Sequence, residues 1–205
     1  MSVPTLLGVF VDLRPLVAGD AEATLRWRQS ERARLLNRGA ATVEQQAAWI
    51  AGRPASEHNF IITLKDGRAV GALSLVGIDA GNRHAESARF LIGEEAAVRG
   101  IPAAVEAMKL LYQHAFDTLG LTRIFGTIAA GNKRMITWQK FLGMREEGRM
   151  RRHYLLNGAY QDAVMLGLLE DEYRNDALPR MDAMIRMGEQ APVATPAKTD
   201  VETDQ

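Results

Sequence analysis

The chain has four histidines and no cysteine, so thiol chemistry is excluded and proton transfer and anion binding are the chemistries its residue patterns suggest. Without a thiol there is no cysteine nucleophile, no disulfide and no cysteine-ligated zinc or iron–sulfur centre. His58, His84, His114 and His153 stand at no spacing that would pair them on a metal. Glu86 lies in the segment HAESARFLI, residues 84–92, where strand alternation places it on one face with Ala88, Phe90 and Ile92. A carboxylate on a largely apolar face has a raised pKa and suits a general base working near neutrality. His84, one step further along that face, and Glu94, at the end of the segment, are the alternative bases. The structural alternative for Glu86 is an edge charge, or an ion pair with Arg83 or Arg123. Anion binding falls to Arg99 and Gly100, which sit just before a helical run that opens at Pro102. Unpaired N–H groups and the positive end of the macrodipole attract an anion there, and Gly100 lets it approach closely. Asn132, ahead of another helical run, reads as an N-cap. The Arg149-Met150-Arg151-Arg152-His153 cluster either receives an anionic molecule or is a solvated strand edge.

The elements that must hold these residues follow from periodicity. Val9 to Leu16 is strand-like and closed by Pro15. Gly19-Asp20 opens a helix reaching about Asn37, with Asp20 as N-cap, and Thr42-Val43-Glu44-Gln45 fits a capping box for a second helix. Asn59 to Leu64 and Ala69 to Ile78 flank Asp66-Gly67 and form an antiparallel hairpin. Residues 84–92 give a fourth strand. Pro102 to Leu119 carries Val105, Met108, Tyr112, Ala115, Phe116 and Leu119 as one apolar stripe, the longest helix. Arg123 to Ala129 is a fifth strand, Lys133 to Leu142 a helix, and Met144 to Glu170 a hairpin turning at Asn157-Gly158. Leu178, Met181, Met184 and Ile185 make a short amphipathic stretch that packs on its own domain or serves a homodimer. This order predicts an α+β fold with a mixed sheet rather than a doubly wound parallel one.

Composition bounds the rest. At 205 residues the chain suits one domain, assigned here to residues 1–187. Residues 188–205 lack larger apolar side chains apart from two valines and read as a disordered tail. Lys plus Arg and Asp plus Glu both total 25, giving zero net charge, which argues against a nucleic-acid backbone binder. No apolar run approaches a membrane span and the start does not read as a secretory signal, so a cytoplasmic protein is expected.

Taken in order, Arg99-Gly100-Ile101-Pro102-Ala103-Ala104, Asn132 through Met144, Glu147 through Arg151 and Asn157 through Asp162 resemble the GNAT superfamily of N-acetyltransferases. The likeness is to the branch acting on ribosomal proteins, polyamines and amino-sugars. Leu13-Arg14-Pro15-Leu16, Trp27-Arg28 and Asn82-Arg83-His84-Ala85-Glu86 match the same branch. The resemblance implies a mostly antiparallel sheet splayed between the fourth and fifth strands, with acetyl-CoA in the cleft as co-substrate and no metal. It places the pyrophosphate on Arg99, Gly100, Ile101, Ala103 and Ala104, the pantetheine along Phe90 and Ile92, and a further contact at Asn132. The acceptor would be a primary amine on a small molecule or peptide, attacking directly with Glu86 or His84 as base. The chain departs from the family pattern twice. Pro102 replaces a glycine and removes one N–H from the phosphate turn, so weaker cofactor binding is expected. Trp138 stands where the family has a tyrosine that protonates the departing thiolate, and an indole N–H is a donor but not a usable acid. Tyr154 and Tyr160 are candidate substitutes. With both changes, a non-catalytic acyl-CoA-binding module is the alternative function.

Overall fold

The computed structural model describes residues 3–36 and 39–190. One eight-stranded sheet runs through it in the order β1-β2-β3-β4-β5-β6-β8-β7, built from β1 (Leu6–Leu7), β2 (Val11–Pro15), β3 (His58–Leu64), β4 (Ala69–Asp79), β5 (His84–Ile92), β6 (Arg123–Ala129), β7 (Arg145–Leu156) and β8 (Ala159–Leu169). Every neighbouring pair is antiparallel except β5 and β6. The α+β class with a mostly antiparallel sheet is therefore as expected. At the β7–β8 turn, Asn157 and Gly158 both take positive φ, 51° and 78°, the backbone that makes Asn-Gly the preferred two-residue turn.

Helices α1 (Ala21–Gln29) and α2 (Val43–Ala51) cover one face, and α3 (Ala103–Gln113), which continues as a π-turn through Thr118, covers the other. Helix α4 (Lys133–Phe141) follows β6, and after the single turn α5 (Glu170–Glu172) the chain closes with α6 (Leu178–Gln190). Phe60, Leu73, Leu75, Ala85, Ile92, Met108, Leu111 and Tyr112 form the core on the α3 side, while Trp27, Ile61 and Leu91 form a smaller one under α1.

Several boundaries differ from expectation for identifiable reasons. Helix α1 stops at Gln29, because Ser30 is extended (ψ 159°) and a separate short turn begins at Glu31. Asp20 does not cap α1 with its side chain; it is held instead by the Arg14 guanidinium at 2.6 and 2.8 Å and by the Val17 N–H at 3.0 Å. Thr42 does cap α2, accepting from the Gln45 N–H. The tail boundary expected at 188 lies inside α6, and residues 191–205 lie outside the described residues. Helix α6 reaches Gln190 because it docks antiparallel on α3: Met181 and Ile185 are buried, Lys109 pairs with Asp182 at 2.6 Å, and Gly188 sits against the Pro102 ring. A Cβ at Gly188 would come within 2.5 Å of Pro102 Cδ, so only glycine permits this approach. The stripe at 178–185 thus packs on its own domain.

Glu106 fastens the first strands to α3. Its carboxylate, 2 % exposed, accepts the N–H groups of Val9, Phe10 and Val11 at 2.6, 2.7 and 2.8 Å. Hydrogen bonds to a charged group are worth more than neutral ones, and an unpaired buried donor carries its full desolvation cost. Glu106→Gln, which turns an NH2 toward one of these donors, is expected to lower the unfolding free energy by about 2–4 kcal/mol, read from urea denaturation. A change within error would show that the three contacts are replaceable by water.

Candidate active site

Strands β5 and β6 pair only from His84 to Glu86 against Arg123 to Phe125, and beyond Ser87 and Gly126 they diverge. The expected splay is present. Past the fork, the inner edges of both strands have no ladder partner, and an extended ligand chain can pair with such an edge as an added strand. A cavity of about 570 Å³ opens there. Its walls come from both edges of the fork, from α1 and α2 on one side and from α4, His153 and Tyr154 on the other. Ser87 Oγ at the fork is buried with no hydrogen-bond partner among the described residues.

Glu86 lies at the vertex. Its Oε1 accepts the Thr127 hydroxyl at 2.6 Å and the Thr127 N–H at 3.2 Å. Thr127 Oγ1 is 2.8 Å from the Tyr154 hydroxyl, whose single proton has the Thr127 carbonyl, at 3.1 Å, as its other acceptor. The consistent assignment is a chain in which Tyr154 donates to Thr127 and Thr127 donates to Glu86. Burial pushes the Tyr154 phenol above its ordinary pKa; the bond to Thr127 opposes this and the nearby charge of Glu86 adds to it. The ion-pair alternatives for Glu86 are absent, since Arg123 pairs with Glu147 and Arg83 donates to the Gly120 carbonyl.

The face assignment for β5 needs correction. Leu73 on β4 is opposed by both Arg89 and Phe90, because Ala72 pairs with Leu91 and Ser74 with Ala88. This bulge puts Arg89 at φ 58° and breaks the alternation. Ala85, Phe90 and Ile92 consequently belong to the α3-side core, while Leu91 turns to the α1 side. Opposite Ala85, Glu86 faces α1 and α2 and does not share a face with Phe90 and Ile92. Phe90 lines the cavity and stacks on Trp138, with ring centroids 4.9 Å apart and planes 17° from parallel. Trp138 thereby packs behind Phe90 against the core and does not itself line the cavity. The Ile92 side chain is buried in the core, which leaves only its backbone for the cleft.

The other expected residues separate into those the fold brings to the cleft and those it does not. His84 is outside the cavity wall, edge-on to Phe125 with its Nε2 3.9 Å from Asp79. Glu94 is tied to α1 by the Trp27 indole at 2.8 Å and by Arg26 at 2.6 Å, and these bonds hold its carboxyl below the usual range. Glu86 lines the cavity, and neither of these two does. Tyr160 is exposed on the hairpin, whereas Tyr154 lines the cavity. Asn132 caps α4, its Oδ1 accepting the Met135 N–H at 3.2 Å, and also lines the cavity. The turn at Arg99 to Ala104 leads into α3 with Gly100 at φ 85° and Arg99 exposed. Ala103 is fully buried, Ile101 and Ala104 partly so. The Arg149–His153 stretch lies on the edge strand β7, with Arg149 paired to Asp162 at 2.8 Å, so the strand-edge reading holds for Arg149.

Sequence reasoning missed one set of residues on the α1/α2 side. Arg89 is clamped by both Glu57 carboxylate oxygens at 2.7 and 3.2 Å and by Asn59 Oδ1 at 2.8 Å, and it lies 5.1 Å from the Trp49 ring. Arg28, beside it, is desolvated, and that together with the like charge of Arg89 pushes its pKa down. Arg28 was visible only as part of Trp27-Arg28, and Arg89 only once the bulge is known.

A mostly antiparallel sheet that forks at its one parallel pair, with a cavity opening at the fork, is the scaffold that holds this site. The family model for the acetyltransferase (GNAT) domain matches residues 11–145, and the chain belongs to the GNAT acetyltransferase family. It is 34% identical over 113 residues, 55% of this chain and 60% of the relative, to the Bacillus subtilis (strain 168) protein YdaF, whose name assigns it to ribosomal N-acetylation. It is 28% identical over 118 residues, 58% of this chain and 61% of the relative, to spermidine N(1)-acetyltransferase of Escherichia coli (strain K12). The chain thus spans about three-fifths of the length of these curated relatives. In fold it is similar to the crystal structure of a GCN5-related N-acetyltransferase from Brucella melitensis, with a TM-score of 0.73 at 24% identity over 94% of this chain and 87% of that one. Among the described residues no helix is long and apolar enough to cross a membrane, and no group of three or more side chains could hold a metal ion.

Proposed function

We propose that this chain moves an acetyl group from acetyl-CoA to a primary amine by direct attack within a ternary complex. The observation that carries this reading is Glu86 at the vertex of the fork, joined through Thr127 to the Tyr154 hydroxyl. An ammonium with a pKa near 10 must lose a proton before it attacks, and Glu86 is the carboxylate on the cavity wall that can take it. The unpaired edges past Ser87 and Gly126 hold the pantetheine arm by backbone hydrogen bonds, and the turn at Arg99 to Ala104 presents N–H groups to the pyrophosphate. Once the amine nitrogen bonds to the thioester carbon and the carbon–sulfur bond breaks, Tyr154 is placed to protonate the thiolate. Glu86 returns the amine's second proton to Tyr154 through Thr127, and the first goes to solvent. A thiolate whose conjugate acid has a pKa of about 8.5 leaves readily enough that this acid assists rather than enables the step.

Pro102 does not weaken this reading. Its Cδ, which occupies the direction an N–H would take, faces Gly188 of α6 rather than the turn's open side. Pro102→Gly is therefore expected to change acetyl-CoA affinity by less than about threefold while lowering stability by about 0.5–1 kcal/mol through unfolded-chain entropy. Calorimetry showing a tenfold gain in affinity would restore the missing-donor argument. The function itself is tested by CoA release from acetyl-CoA on adding a set of primary amines. Acetyl-CoA binding without amine-dependent release would favour the non-catalytic module.

A further inference from the structure

The acceptor side of the cavity carries more positive than negative charge. Among the described residues that line it, the charged side chains are Arg28, Arg89 and Glu86, with His153 as the one other titratable imidazole. Glu57 and Arg53 stand just behind, Glu57 clamping Arg89 and lying 3.5 Å from Arg53, and the Trp49 ring is flanked by Arg53 at 4.2 Å and Arg89 at 5.1 Å. Glu57 is thus engaged by two guanidiniums and faces no ligand with a spare charge. Thr24, Gln46, Asn59 and Ser74 complete a polar floor, linked in pairs by the Gln46–Thr24 bond at 3.0 Å and the Ser74–Asn59 bond at 2.7 Å.

From this arrangement we infer that the acceptor is a small amine whose own carbon frame carries an anionic oxygen group, carboxylate or phosphate, bound by Arg28 and Arg89 while its nitrogen lies at Glu86. The inference rests on the acetyl-transfer reading above and names its substrate class. A guanidinium presents a planar fork of donors matched to carboxylate and phosphate oxygens. Arg89 is held rigidly by the Glu57 clamp, and the bulge that sets its φ at 58° aims it to the same side as Glu86. Arg89 lies three positions after Glu86, roughly 10 Å of strand at ~3.3 Å per residue. With the side chains reaching inward, that span suits a molecule with an ammonium at one end and an anion at the other. With Arg53 and Glu57 included, a polyamine would meet three guanidiniums and two carboxylates, one of them already paired, an unfavourable match for several positive charges.

The test compares matched amines by CoA release: β-alanine against n-propylamine, which lacks its carboxylate, phosphoethanolamine against ethanolamine, and spermidine. At least one anionic amine is expected to exceed its uncharged counterpart tenfold or more in kcat/KM, and which pair shows it distinguishes carboxylate from phosphate. In Arg28→Gln that ratio should fall to about one, and Arg28→Lys should recover part of it, separating charge from packing. Spermidine or n-propylamine surpassing both anionic amines, or a ratio unmoved in Arg28→Gln, would overturn the inference while amine-dependent release left the transfer reading intact. Calorimetry of the same amines on the CoA-bound protein decides the converse case. Binding of an anionic amine that Arg28→Gln abolishes, with no acetylation of any amine, would sustain the anion site and remove the transfer reading; no binding of either anionic amine together with no acetylation would remove both.

Discussion

Glu86→Gln is expected to lower turnover by about 10²–10⁴-fold, the loss typical of a missing general base, while acetyl-CoA affinity stays close to that of the parent. The glutamine carbonyl can still accept from the Thr127 hydroxyl and N–H that Glu86 engages, so the fork keeps its shape and the effect isolates proton acceptance. The loss should fall in kcat more than in the acceptor KM, because the amine is still received but not deprotonated. CoA release measured across a pH series, with acetyl-CoA binding followed separately by calorimetry, checks both halves. Unchanged turnover would remove Glu86 from the mechanism and leave a water chain as the base, since His84 is outside the cavity wall and Glu94 is occupied by Trp27 and Arg26.

Seven of the eight strands and helix α3 are legible in the sequence because each carries a local signal. Asp66-Gly67 and Asn157-Gly158 fix two hairpins by turn chemistry, and the stripe from Val105 to Phe116 fixes α3 by its period. What local pattern could not show depends on contacts made far along the chain. The docking of the last described turns of α6 rests on a glycine meeting Pro102, more than eighty residues earlier, and a composition argument saw only the scarcity of larger apolar residues after Met187. The two-residue strand β1 has too few residues to show any period.

The candidate site was legible as a cast of residues and illegible as an arrangement. Strict alternation assigns Glu86, Phe90 and Ile92 to one face, and the bulge at Arg89 and Phe90 reverses that for the last two. A bulge is specified by what opposes it, here Leu73 of β4, and leaves no mark in the strand's own sequence. The same extra residue that takes Phe90 out to meet Trp138 carries Arg89 over to the α1/α2 side. One backbone irregularity thus brings both Phe90 and Arg89 to the cavity.

The position where the family pattern has its acid illustrates the same point with a chemical consequence. Trp138 stacks on Phe90 and its indole is no usable acid, while Tyr154, on the last hairpin, reaches over β8 to Thr127 on the β6 side of the fork. Tyr154→Phe is expected to reduce turnover by about 10- to 100-fold, less than Glu86→Gln because the thiolate is already a tolerable leaving group. The sign of the pH effect follows from burial, which raises the phenol's pKa above its ordinary value near 10. The protonated, donating form then persists to higher pH than in a free tyrosine. The ratio of parent to variant turnover should stay constant from neutrality to about pH 10 and narrow only above it, as the parent loses its donor while the variant has none to lose. Equal turnover at neutral pH, or a ratio already closing near pH 8, would show that the thiolate departs without help from Tyr154. In that case the Tyr154–Thr127 bond would serve to orient Glu86, and Thr127→Val would reproduce whatever loss remained.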